Sequence, residues 1–138
     1  PDQATRTVEL AGVPVELSMA GCDADGATFA VSHAALADPA QAGAALRHWR
    51  AAVVANLGAG AAATAADAPY APKGALPLPQ SVRTVVQGQR ADGSPVFAQG
   101  VWFARAAGPQ MRLYHAVVYT GKPRPELADQ FFAGMVLQ

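Results

Sequence analysis

Apolar and polar side chains alternate along residues 7–19: Val8, Leu10, Val13, Val15, Leu17 and Met19 interleave with Glu9, Glu16 and Ser18. Period-two alternation is the mark of a half-buried strand. Gly12-Val13-Pro14 interrupts it, which predicts two short strands or one bent one, with Pro14 at an edge. Asp23-Ala24-Asp25-Gly26 reads as a turn, and residues 28–33 resume as a strand with Phe29, Val31 and His33 on one face. Three further strands are expected at 82–86, 96–105 and 111–120, punctuated by Gly93-Ser94-Pro95 and Gly108-Pro109.

Two segments carry the helical period instead. Asp38 fits an N-cap and Pro39 the first helical position, while Gly58 after Leu57 supplies the stop. Between them Ala42, Leu46, Trp49, Val53 and Leu57 fall on one stripe. The closing helix starts near Pro125-Glu126, and Leu127, Phe131 and Met135 recur at i+4 with Ala128 and Phe132 beside them. Val136-Leu137 is expected to tuck against the sheet. Burial of each large side chain on such stripes contributes about 1.5–3 kcal/mol.

Residues 58–80 change character, becoming rich in Ala, Gly and Pro. A short strand over 61–67 is allowed, although Ala is a poor strand former. Residues 68–79, with Pro69, Pro72, Pro77 and Pro79, read as a surface loop and the prime suspect for a binding edge. The order β-β-β-α-(β)-β-β-β-α predicts an α+β fold in one domain: an antiparallel sheet of about six strands covered by helices on both faces, an α/β/α sandwich.

Composition narrows the function more by exclusion than by indication. The chain has 138 residues, ten basic and ten acidic side chains, and 14% charged residues; alanine supplies roughly half of its 51% hydrophobic share. That balance lacks the basic footprint of a nucleic-acid binder. No apolar run approaches the ~20 residues of a membrane span. Near-zero net charge lowers mutual repulsion, so a homo-dimer is compatible with it. Pro1 without a Met suggests a processed or truncated start: a removed export signal or lipid anchor is one explanation, and simple truncation the other.

The individual chemical candidates are sparse. Cys22 is the one cysteine and has no internal partner for a disulfide. His33, His48 and His115 lack metal-ligand spacing, so no metal is expected, though His33 and His115 could meet across the sheet. Gly58-Ala59-Gly60-Ala61-Ala62-Ala63 matches a relaxed dinucleotide pattern but follows a helix rather than a strand, so no cofactor is expected. Arg50 lies at the margin of the first helix's apolar stripe, as a snorkelling stem or as a guanidinium over a cleft. Trp102 should lie roughly across the hairpin from Tyr114. Arg50, Tyr70, Trp102, Tyr114 and His115 are therefore the candidate binding residues, and no catalytic set is assigned.

The element order resembles the PsbP-like fold. The likeness rests on the strand pair around Gly12-Val13-Pro14, the helix carrying Trp49, the hairpin near Asp92-Gly93, the strand Arg112-Leu113-Tyr114-His115-Ala116-Val117-Val118-Tyr119, and the ending Phe131-Phe132-Ala133-Gly134-Met135-Val136-Leu137. Proteins of that fold include an extrinsic photosystem II subunit, a Ran-binding import factor and many bacterial envelope proteins. The resemblance implies a non-enzymatic binding or assembly module that contacts a protein partner, at the envelope or in the periplasm of a bacterium. It does not carry Ran over, because no matching acidic surface is legible. A small-molecule binder with a pocket between sheet and helix is the alternative, and a small hydrolase or isomerase the third reading.

Overall fold

The computed structural model describes residues 2–24, 26–58, 64–89 and 92–134. Seven strands form one antiparallel sheet: β1 (Asp2–Leu10), β2 (Val13–Ala24), β3 (Ala27–Leu36), β4 (Thr64–Pro69), β5 (Val82–Gln89), β6 (Pro95–Ala107) and β7 (Gln110–Thr120). Their spatial order is β1-β2-β3-β7-β6-β5-β4. Two meanders are thus laid side by side, with β7 closing against β3. The strand count exceeds the six expected because β4 forms over Thr64–Pro69; residues 61–63 of the expected 61–67 segment lie outside the described residues. Register explains how an Ala-rich segment holds as a strand: each β4 residue pairs with β5, from Thr64↔Gln87 to Pro69↔Val82, so pairing overrides weak propensity.

The hairpin turns that join β1 to β2 and β6 to β7 use positive φ. Ala11 and Gly12 (φ 53° and 83°) close β1 on β2, and Gly108 (φ 63°) with Pro109 closes β6 on β7. Such two-residue turns match the twist of the strands they join. Pro14 does not bend the first strand pair; it faces Glu9 in an unbroken register.

Alternate residues of β6 define the two sides of the sheet. Trp102 and Ala104 point towards α1 (Ala42–Gly58), where Ala42, Ala45, Leu46 and Trp49 meet Leu36, Met111 and Leu113. Val101 and Phe103 point the other way, towards α2 (Pro125–Ala133), where Ala128 and Phe132 meet Ala116 and Val118. Asp38 caps a 3-10 turn at Pro39–Gln41, accepting from the Ala40 N–H at 3.0 Å, and α1 follows directly. Gly88 lets the end of α1 approach β5: a Cβ there would collide with the Leu57 carbonyl oxygen.

The Pro-rich loop joins these two layers at one end of the sheet. Leu76 and Leu78 pack into the α1 core, while Tyr70 and Ala75 pack into the α2 core. The Leu76 N–H donates to the Ala104 carbonyl at 2.9 Å, and the Tyr70 N–H to the Ser81 carbonyl at 3.0 Å. Its apolar side chains thus serve the cores, and its backbone is tied to β6. The relaxed dinucleotide pattern from Ala59 to Ala63, and Met135, Val136 and Leu137, lie outside the described residues.

Candidate functional site

The five candidate residues separate onto the two sides of the sheet. Trp102 and His115 stand opposite each other on β6 and β7, facing α1. Tyr114 pairs with Phe103, not with Trp102, and faces α2 along with Tyr70. The expected Trp102–Tyr114 pair therefore fails by one residue. The turn contains two residues, and a shift of one in an antiparallel register moves a side chain to the other face. For the same reason His33 and His115 do not meet: His33 pairs with Tyr114, and His115 with Ser32. His48 lies exposed on α1.

His115 is held in an aromatic box. Its ring stacks on the Trp102 indole with centroids 4.2 Å apart, and the Trp49 indole meets it edge-on at 5.4 Å. Nδ1 lies 3.0 Å from the Val101 carbonyl oxygen. A carbonyl can only accept, so Nδ1 carries the proton of the neutral ring. Burial pushes the pKa down to about 4 from the usual 6.5, although the Val101 bond pulls the other way. The Trp102 Nε1 is buried with no hydrogen-bond partner among the described residues. Gly100 makes room for the box, since a Cβ there would sit 2.9 Å from the indole Cη2 and 3.1 Å from the imidazole Cε1.

Arg50 does not hang over a cleft. Its Nη2 pairs with Asp67 Oδ1 at 2.9 Å, and its Nε reaches the Thr84 hydroxyl at 3.3 Å. Thr84 donates to the same Asp67 oxygen at 2.6 Å and is 0% exposed. The three groups tie α1 to β5 and to the outermost strand β4. Arg50 and Tyr114 therefore serve opposite layers, with the sheet between them.

On the α2 side an aromatic cluster forms the floor. Tyr114 stacks on Phe103 at 5.1 Å, and Tyr70 lies 6.0 Å from Phe103 and 6.4 Å from Phe132. Burial raises the Tyr70 pKa, with Arg83 opposing the rise, and burial raises that of Tyr119 as well. Arg83 clamps the helix: Nη2 lies 2.7 Å from Asp129 and 2.5 Å from Gln99 Oε1, and its guanidinium carbon sits 5.0 Å from the Phe132 ring centre. Beside α2, an open groove of about 180 Å³ is lined by Val85, Phe97, Val118, Pro123 and Ala128. Ligand pockets usually enclose about 300–1,000 Å³, so this one is small.

Sequence reasoning missed two features. One is the pair Arg105 and Arg112, which register sets opposite each other. Both stand three residues from the Gly108-Pro109 turn, a symmetry visible in the sequence once a two-residue turn is assumed. The other is the outer edge of β1, whose nine residues pair with β2 without a bulge.

These features define an α+β protein built on one antiparallel sheet with a helix on either side. Among the described residues, no helix is long and apolar enough to cross a membrane. No family model matches the sequence, and no curated protein matches it. Among solved structures, the chain is similar to PA94 from Pseudomonas aeruginosa, a protein of unknown function suggested as a regulator. The two share 17% identity over 97% of each chain, with a TM-score of 0.51. At that identity the likeness is one of fold.

Proposed function

We propose that this chain is a non-enzymatic binding or assembly module of the bacterial cell envelope, and that it takes up an extended segment of a protein partner along the free edge of β1. The single observation that carries the reading is the regularity of that edge. The register runs unbroken from Asp2↔Gly21 to Leu10↔Val13. Leu10 and Val13 flank a two-residue turn and exchange both backbone bonds, so Gln3, Thr5, Thr7 and Glu9 aim their N–H and C=O groups away from β2. A row of unpaired backbone groups selects polypeptide, because only another strand supplies donors and acceptors at that spacing.

Natural sheets usually blunt an open edge with charges, Pro, a bulge or a covering element. Within β1 there is no Pro and no bulge, and the charges are Asp2, Arg6 and Glu9. Residues 3–7 are exposed. The envelope location belongs to the same proposal, supported by the PsbP-like order of elements and the Ala-, Gly- and Pro-rich composition.

The test is Thr5→Pro, which removes an outward N–H and leaves the bonds to β2 in place. Partners captured by the wild-type chain should bind the variant at least tenfold more weakly by titration calorimetry, at unchanged thermal stability. Equal affinity would remove β1 from the proposal. A wild-type dimer that Thr5→Pro dissociates would make the occupant a second copy of the chain.

A further inference from the structure

Arg105 and Arg112 occupy directly opposed positions on β6 and β7, on the face that also carries Phe103 and Tyr114. Opposed residues in an antiparallel pair hold their Cβ atoms about 4.5–5.5 Å apart, and like charges so placed repel. Both side chains are half-buried. Nη1 of Arg105 is buried without a hydrogen-bond partner among the described residues. An unpaired buried donor of this kind is costly to leave unmet.

Arg50 and Arg83 show what the rest of the molecule does with such a group: each takes a carboxylate, Asp67 and Asp129. Among the described residues, neither Arg105 nor Arg112 has an ion pair or a side-chain hydrogen bond. The flanking strand supplies no acid either. Ala35 of β3 stands opposite Arg112, and the next residue on that face is His33. On the other side β5 starts at Val82, opposite Trp102, so Arg105 lies past its end. There the Pro-rich loop crosses, tied to the Ala104 carbonyl through Leu76.

We propose that Arg105 and Arg112 form a binding site for a phosphate group. A doubly charged oxyanion offsets both guanidinium charges at once, where a single carboxylate offsets one. Each guanidinium presents a planar fork of donors that matches the oxygens of phosphate. The site takes either free phosphate or the phosphate of a monoester. It is independent of the β1 edge, which lies across β2 and β3 from it.

The experiment is thermal unfolding of the whole chain at pH 7.5 and fixed ionic strength, titrated with inorganic phosphate, phenyl phosphate, acetate or chloride. Ligand that binds only the folded state raises Tm with concentration. A saturable rise with phosphate or phenyl phosphate, and none with acetate or chloride, is expected. Tighter binding of phenyl phosphate assigns the site to esters; tighter binding of inorganic phosphate assigns it to the free ion. Arg112→Gln and Arg105→Gln should each weaken the response at least tenfold, while Arg47→Gln, on an exposed part of α1, and Thr5→Pro should leave it unchanged. Arg112 carries the decision if the Arg105 variant does not fold. Equal responses in wild type and Arg112→Gln, or equal effects of acetate and phosphate, would overturn the proposal.

Discussion

The imidazole of His115 lies flat on the Trp102 indole, with centroids 4.2 Å apart and planes 12° from parallel. The pair is directly cross-strand, and α1 seals it with Trp49. It is a histidine turned inward as a flat neutral ring, and its chemistry is that of packing.

That placement sets a pH dependence. The folded-state pKa is about 4 and the usual value is 6.5, so between these limits the unfolded chain binds more protons than the folded one. Stability contributed by the neutral ring is complete above pH 6.5, declines as pH falls towards 4, and is gone below that. The total is roughly 3 kcal/mol, at about 1.4 kcal/mol per pKa unit. Urea denaturation of wild type and His115→Phe at pH 7.0, 6.0 and 5.0 checks it. The wild type should lose stability relative to the variant on acidification; parallel curves would contradict the assignment.

Gly100→Ala should disturb the same box from beneath. Its new methyl would meet two rings locked between a sheet and a helix, and over-packing of this kind costs about 1–3 kcal/mol. Tryptophan fluorescence and the urea midpoint should move together.

Asp67→Ala should cost more than Arg50→Met. The ion pair is partly open to solvent, with side chains 26% and 42% exposed, so by itself it contributes under about 1 kcal/mol. Losing Asp67 also leaves the Thr84 hydroxyl buried with its main acceptor gone, which costs about 1–3 kcal/mol. Asp67→Ala with Thr84→Val should recover part of that loss. Chemical denaturation of the two single variants and the double variant measures the difference.

Ala11→Asn should stabilise the protein. Ala11 holds φ at 53°, a left-handed conformation that costs an ordinary L-residue about 1–2 kcal/mol and that Asn tolerates better. A gain of about 1 kcal/mol in thermal unfolding, with no change in the β1–β2 register, is the expected result.

Periodicity carried much of this architecture. The stripe through Leu46 and Trp49 found its core, and the split of β6 into Val101 and Phe103 against Trp102 and Ala104 matches the two layers. What the sequence could not deliver was register. An uncertainty of one or two residues at Gly108-Pro109 decides whether Trp102 meets Tyr114 or His115, and no local pattern resolves it. Strand β4 was ambiguous for a related reason: Ala65, Ala66 and Ala68 have little preference of their own, and pairing with β5 decides the matter. Arg50 could be placed at the margin of α1, but its partner Asp67 arrives from a strand 17 residues later.

The two rims of the sheet are unequal. Strand β4 ends on Pro69, whose nitrogen has no hydrogen to donate, whereas β1 carries no such stop. Copies joined rim to unlike rim would always leave one of each exposed and would grow into filaments without limit. Copies joined through their β1 rims about a two-fold axis would use up the more receptive margin and halt at a pair. The asymmetry therefore biases any self-recognition of this molecule towards closed assemblies over fibres.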